Sequence, residues 1–105
     1  MLLIFLFPIK AFSAEILQIK GSNQILLGDQ NRNYTVKLAC IDIDSSSEMQ
    51  AREWLKLNLP RKKPVNIRPI SSDQGVLVAR IIPFGSNMDV SEQMVKKGFG
   101  RSSCN

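Results

Sequence analysis

Residues 34–58, YTVKLACIDIDSSSEMQAREWLKLN, change period part-way along, and that change governs how the rest of the chain is read. Tyr34 to Ile41 (YTVKLACI) is rich in β-branched and apolar residues and reads as a strand. Beyond it, Ser45 and Glu48 stand three apart in a capping-box pattern. Ala51, Trp54, Leu55 and Asn58 then share one helical face. The spacing predicts a helix from about Ser46 to Asn58, which Pro60 ends.

Outward from that segment the chain alternates short strands with turns. On the N-terminal side, Glu15 to Lys20 reads as a strand, Gly21-Ser22-Asn23 as a turn and Gln24 to Leu27 as a second strand. Gly28 to Asn33 is dense in turn formers. On the C-terminal side, Arg61-Lys62-Lys63-Pro64 makes a basic connection. Val65 to Ile70 follows as a strand that Pro69 restricts to an edge or a bulge. Ser72 to Gly75 turns into a strong strand, Val76 to Ile82, and Phe84 to Asn87 turns again. Asp89 with Glu92 repeats the capping pattern, Lys96 and Lys97 suit a helix C-terminus, and Gly98 suits the position after it. A second helix is predicted from about Val90 to Lys97. The order βββ–α–ββ–α implies a mainly β (α+β) chain: five antiparallel strands in an OB-type closed barrel with two helices. Closure removes the exposed strand edges of a small β-protein.

The 105 residues carry 14 Lys+Arg, 9 Asp+Glu and no histidine, for a net charge of +5. That length fits one domain. The absence of histidine excludes Ser-His-Asp and Cys-His nucleophile pairs and an imidazole base. Two cysteines are too few for an all-Cys zinc site. Leu2 to Ile9 is an apolar run followed by the small residues Ala11, Ser13 and Ala14, with the look of a secretory signal peptide. It falls well short of the ~20 residues that a membrane span needs. The expected organisation is a leader over residues 1–14, a domain over 15–101 and a tail over 102–105. The product is an exported monomer (periplasmic, lumenal or secreted) with no stable membrane insertion once the leader is removed. In an oxidising compartment an even cysteine count favours a Cys40–Cys104 disulfide, worth about 2–4 kcal/mol. The alternative is a buried Cys40 and an unpaired Cys104.

Several local signatures share one order. They are the opening hairpin around Ile19-Lys20-Gly21, Val36-Lys37-Leu38-Ala39-Cys40-Ile41-Asp42, Ala51 to Leu59, Asp73 to Ile81, and Asp89-Val90 through Gly98-Phe99-Gly100. Together they resemble the staphylococcal-nuclease-like (thermonuclease) domain over roughly residues 15–101. The resemblance implies a Ca²⁺-dependent phosphodiester hydrolase, with carboxylates on the metal, a carboxylate that activates water and two arginines that clamp the phosphate. Position by position, little of that set is kept. One metal aspartate falls on Ser22, the catalytic glutamate on Ser45, and the two arginines on Lys37 and Val76. Asp42, the second metal aspartate, is retained, while the family's usual proline falls on Asp44. Lysine keeps a cation at position 37 but loses the two-point guanidinium fork. Arg80 lies four residues beyond Val76 on the same strand face, ~13 Å away, too far to replace the second clamp.

The expectation is therefore a nuclease-type fold without catalytic residues or cofactor, acting as a binding module for nucleic acid or an acidic protein. Lys37, Arg61, Lys62, Lys63 and Arg68 are the candidate anion-binding residues, within a basic domain that also holds Lys96, Lys97 and Arg101. Tyr34, Trp54, Phe84 and Phe99 are the aromatics outside the leader, with Trp54 and Phe99 read as core. The rival expectation is a Ca²⁺-dependent endonuclease rebuilt on Asp42, Asp44 and Glu48. A third is a secreted structural domain with no ligand.

Overall fold

Alternating apolar residues build the barrel wall. The computed structural model describes residues 12–104. Residues 1–11 of the expected leader lie outside them. Strand β1 (Phe12–Ile19) buries Ala14 and Ile16, then Ile19. The step of three between Ile16 and Ile19 breaks a period of two, and a bulge between Ile16 and Gln18 absorbs the extra residue. Strand β2 (Gln24–Asp29) buries Ile25 and Leu27, and β3 (Arg32–Leu38) buries Val36 and Leu38. Later in the chain, β5 (Pro64–Asp73) contributes Val65 and Ile67, and β6 (Val76–Pro83) contributes Ala79 and Ile81. These five strands close in the order β1-β2-β3-β6-β5, with β5 returning to β1. The fold is an OB-like barrel with two helices.

One seam differs from the all-antiparallel expectation, because β3 and β6 run parallel. Directions cannot alternate all the way round a ring of odd number, so five strands need at least one parallel pair. The chain reaches β6 from β3 by way of β4 (Ile41–Ile43), a 3-10 turn (Ser45–Ser47), α1 (Glu48–Asn58) and β5. Helix α1 lays Ala51 and Leu55 on the core, with Leu59 just past its end, while Trp54 meets Phe99 edge-on at 6.2 Å. Asn58 is exposed, and its side-chain amide donates to the Trp54 carbonyl. No helix among the described residues is long and apolar enough to cross a membrane.

Three local expectations change. The strand read as Tyr34–Ile41 ends at Leu38, because Cys40 turns the chain through a positive φ of 67°. Ile41–Ile43 then pairs with β7 (Gly100–Ser102) in a separate two-stranded sheet. The Ser45–Glu48 capping box does not form. Asp44 precedes the 3-10 turn, and neither it nor Ser47 makes a side-chain cap. Finally, β1 begins at Phe12, where Phe12 pairs with Ile67 and Ser13 with Asn66. Cleavage just before Ala14 would remove both pairs.

Other signals translate directly. Pro69 sits at a register shift in β5. Gln74 and Gly75 both take positive φ, 53° and 84°, in a two-residue hairpin turn of the kind glycine favours. Asp89 caps α2 (Val90–Lys96) by accepting from the Glu92 amide at 2.7 Å.

Gly100 lies where β7 crosses β4. A Cβ there would collide with the Asp42 carbonyl and come within 2.9 Å of Ile43 Cα. Gly100→Ala is expected to cost about 1–3 kcal/mol, read as a lower urea midpoint of the oxidised protein. Gly21→Ala meets open space and should stay within about 0.5 kcal/mol.

Candidate functional site

The family-matched positions fall into three places. Ser22, in the β1–β2 turn, and Ser45, in the 3-10 turn, line one open groove of about 870 Å³ with Glu48, Arg52 and Glu53 from α1. Lys37 and Val76 lie at the parallel seam, where Lys37 is opposite Val78. Asp42 is the exposed residue of β4, its carboxylate 3.9 Å from Arg101 Nη2. Asp44 is exposed at the start of the 3-10 turn. Among the described residues, no three His, Cys, Asp or Glu side chains converge as a metal site.

Lys37 does not stand open. Its Nζ lies 3.1 Å from Asp73 Oδ2, and Asp73 pairs with Val76 beside the hairpin turn. Both side chains are well exposed, so the pair contributes only about 0–1 kcal/mol.

The five candidate anion-binding residues are spread over the barrel. Arg61 Nη1 donates to the Leu17 carbonyl at 3.1 Å, and the Lys62 amide donates to the Ile16 carbonyl at 2.6 Å. The Lys63 carbonyl accepts from the Ile16 amide at 3.0 Å. Arg61 to Lys63 therefore follow β1. Arg68 is exposed on β5, opposite Arg80 of β6, while Lys37 sits on β3.

A different set is divided between the two ends of β3. OB barrels bind oligonucleotides on the face of their second and third strands. Here Lys20 Nζ donates to Thr35 Oγ1 at 3.3 Å, next to Lys37 on that face. At the other end of β3, Phe12, Arg32, Tyr34, Thr35 and Val76 border a cleft of about 370 Å³. The Arg32 guanidinium sits 5.4 Å from the centre of the Tyr34 ring, and Phe12 stacks obliquely on Tyr34 at 6.4 Å. The Tyr34 hydroxyl donates to Asp29 Oδ2 at 3.3 Å, and Arg32 reaches the same oxygen at 3.5 Å. Sequence reasoning missed Phe12 and Arg32 because one was assigned to the leader and the other to a hairpin loop. The available signal was an aromatic two residues from a cation, Arg32-Asn33-Tyr34. Chemically the arrangement offers cations for phosphate and two partly buried rings for a flat group, with the Asp29 carboxylate beside them engaged by Tyr34 and Arg32.

The chain matches no protein-family model and no curated protein. Its functional reading therefore rests on residue positions and on this geometry.

Tyr34 provides a direct probe of the cleft. Burial, and then the negative charge and hydrogen bond of Asp29, push its hydroxyl from 10.0 up to about 12. The folded state holds this proton more tightly than the unfolded chain does. The resulting stability is complete below pH 10 and is lost as pH rises from there towards about 12. Tyr34 is the one tyrosine in the chain, so ultraviolet titration reads it alone. The midpoint should lie near 12 and fall in Asp29→Asn.

Proposed function

We propose that this protein is an exported, catalytically degenerate domain of staphylococcal-nuclease-like type. It binds an anionic polymer, single-stranded nucleic acid foremost, along β2 and β3. The observation that carries this reading is the pair Lys20 and Lys37 on the outer face at one end of β3, with Arg32 and the aromatic cleft at the other end of the strand. The matching catalytic positions hold Ser22, Ser45 and Val76. None of those three side chains can hold Ca²⁺ strongly, activate water as a carboxylate does or clamp a phosphate. Export is supported by the leader-like apolar run Leu2 to Ile9, with a cut that spares Phe12 keeping β1 and the cleft whole, and by the disulfide between Cys40 and Cys104.

Binding of this kind acts through counterion release, with aromatic contact adding sequence-tolerant affinity. Three phosphate contacts on a single strand give a salt slope of about −2, roughly −0.7 for each. Lysine and arginine at these positions serve as point contacts and need no metal.

Fluorescence anisotropy with a labelled single-stranded oligothymidylate provides the test. Affinity should fall with salt at the slope above, and Lys37→Ala should weaken binding and shallow the slope by about 0.7. Asp73→Asn should strengthen binding, because it frees Lys37. Absence of salt-dependent binding would reject the reading. Cleavage with Ca²⁺ that a chelator abolishes, and that Asp42→Ala removes, would establish the endonuclease instead.

A further inference from the structure

The Cys40–Cys104 bond is asymmetric in its surroundings. Its Cα atoms are 4.9 Å apart, and it ties the C-terminal tail to the turn after β3. Cys104 is exposed, whereas Cys40 is half-buried. Arg80 Nη2 lies 3.2 Å from Cys40 Sγ. The guanidinium is held in place from the other side, because its Nη1 pairs with the carboxylate of buried Asp89, which also caps α2. Cys40 and Arg80 border a cleft of about 400 Å³ with Ser91, Glu92, Lys96 and Ser102. A positive group is thus fixed against one sulfur, while the other belongs to an exposed residue.

We propose that this disulfide is a directional thiol-exchange site for a dithiol reductant, with Cys104 the sulfur attacked and Cys40 the leaving sulfur. In exchange, a thiolate attacks one sulfur in line, and the bond electrons leave on the other. One thiolate of the dithiol forms a new S–S bond to Cys104 Sγ. The Cys40–Cys104 bond breaks, and its electron pair passes to Cys40 Sγ, where Arg80 stabilises the charge. The second thiol of the dithiol loses its proton to solvent and attacks the dithiol's other sulfur, the one bonded to Cys104 in the mixed disulfide. Cys104 leaves as thiolate and is protonated from solvent. The dithiol is oxidised by two electrons to a disulfide, and this chain is reduced by two. Reduction unties the tail, whose Ser103 amide donates to the Cys40 carbonyl at 3.1 Å and whose β7 pairs with Asp42 on β4. The site is independent of the ligand proposed above.

The test uses the oxidised full-length chain with reduced glutathione, a monothiol that lacks an intramolecular resolving thiol, quenched early so that the first mixed disulfide is captured. After acid quench and alkylation, peptide mass spectrometry should place glutathione on Cys104 and the alkyl group on Cys40, in at least roughly fivefold excess over the reverse. Glutathione on Cys40, an even split, or reaction only in urea would each overturn the proposal. Equilibration with reduced and oxidised dithiothreitol then tests the role of Arg80. Arg80→Gln should lower the ratio of reduced to oxidised protein by at least about threefold, and Arg80→Lys should recover part of it. An unchanged ratio in a folded Arg80→Gln protein would remove Arg80 from the mechanism. The adduct position in the unaltered chain needs no variant to fold.

Discussion

The odd strand number of the closed barrel imposes the parallel seam between β3 and β6, and much of the molecule is arranged to satisfy it. A parallel neighbour cannot be reached by a tight turn, so the chain must leave the sheet and return. That excursion contains β4, α1 and β5. It gives α1 the chance to bury Ala51 and Leu55 against the same core that the strands share. It also places the start of β6 beside β3, so that Val76, Asp73 and Lys37 become neighbours although the paired charges are 36 positions apart in sequence.

The exit from the seam is as constrained as the seam itself. The Ala39 amide still donates to the Ala79 carbonyl at 2.9 Å, and one residue later Cys40 adopts a left-handed conformation that disfavours any residue with a Cβ. That local cost is sustained by what the turn allows. It directs Ile41–Ile43 onto β7, brings Cys40 to Cys104 and sets its sulfur beside Arg80. Closing a loop of 64-residue separation contributes about 4 kcal/mol in the usual chain-entropy account. Arg80 then links the turn to the cap of α2 through Asp89. In a small barrel with a limited core, this chain of contacts holds the C-terminal third in register with the β-wall.

What could be read from the sequence was local. The Asp89 cap, the bulge at Pro69 and the turn at Gln74-Gly75 depend on one to four neighbouring residues, and each was legible. Period and order likewise gave the barrel. The misreadings share a different origin. Ser45 and Glu48 match a capping pattern, yet the chain enters α1 through a 3-10 turn that β4 and β7 position from outside. Cys40 carries no sign of its left-handed turn, because partners far along the chain impose it. Phe12 read as leader by composition, but it finds Ile67 and Tyr34 across the barrel. The candidate site was least legible for the same reason. Listing Lys37, Arg61, Lys62, Lys63 and Arg68 identifies charges, but only the ring order of the strands decides which of them share a face.

The charges of the candidate site are mostly committed to one another. Lys37 faces Asp73, Asp42 faces Arg101, and Arg32 and Tyr34 both meet Asp29. A hydrolytic centre needs the opposite arrangement, with carboxylates crowded around a metal and arginines aimed at empty space, and that crowding costs stability in the unliganded protein. Here Ser22, Ser45 and Val76 bring no charge to be compensated. The exposed ion pairs are individually weak and open easily. A surface built this way exchanges an internal carboxylate for an external phosphate at little net gain. Under the proposed function each contact is therefore modest, and affinity would come from a polymer that engages several at once.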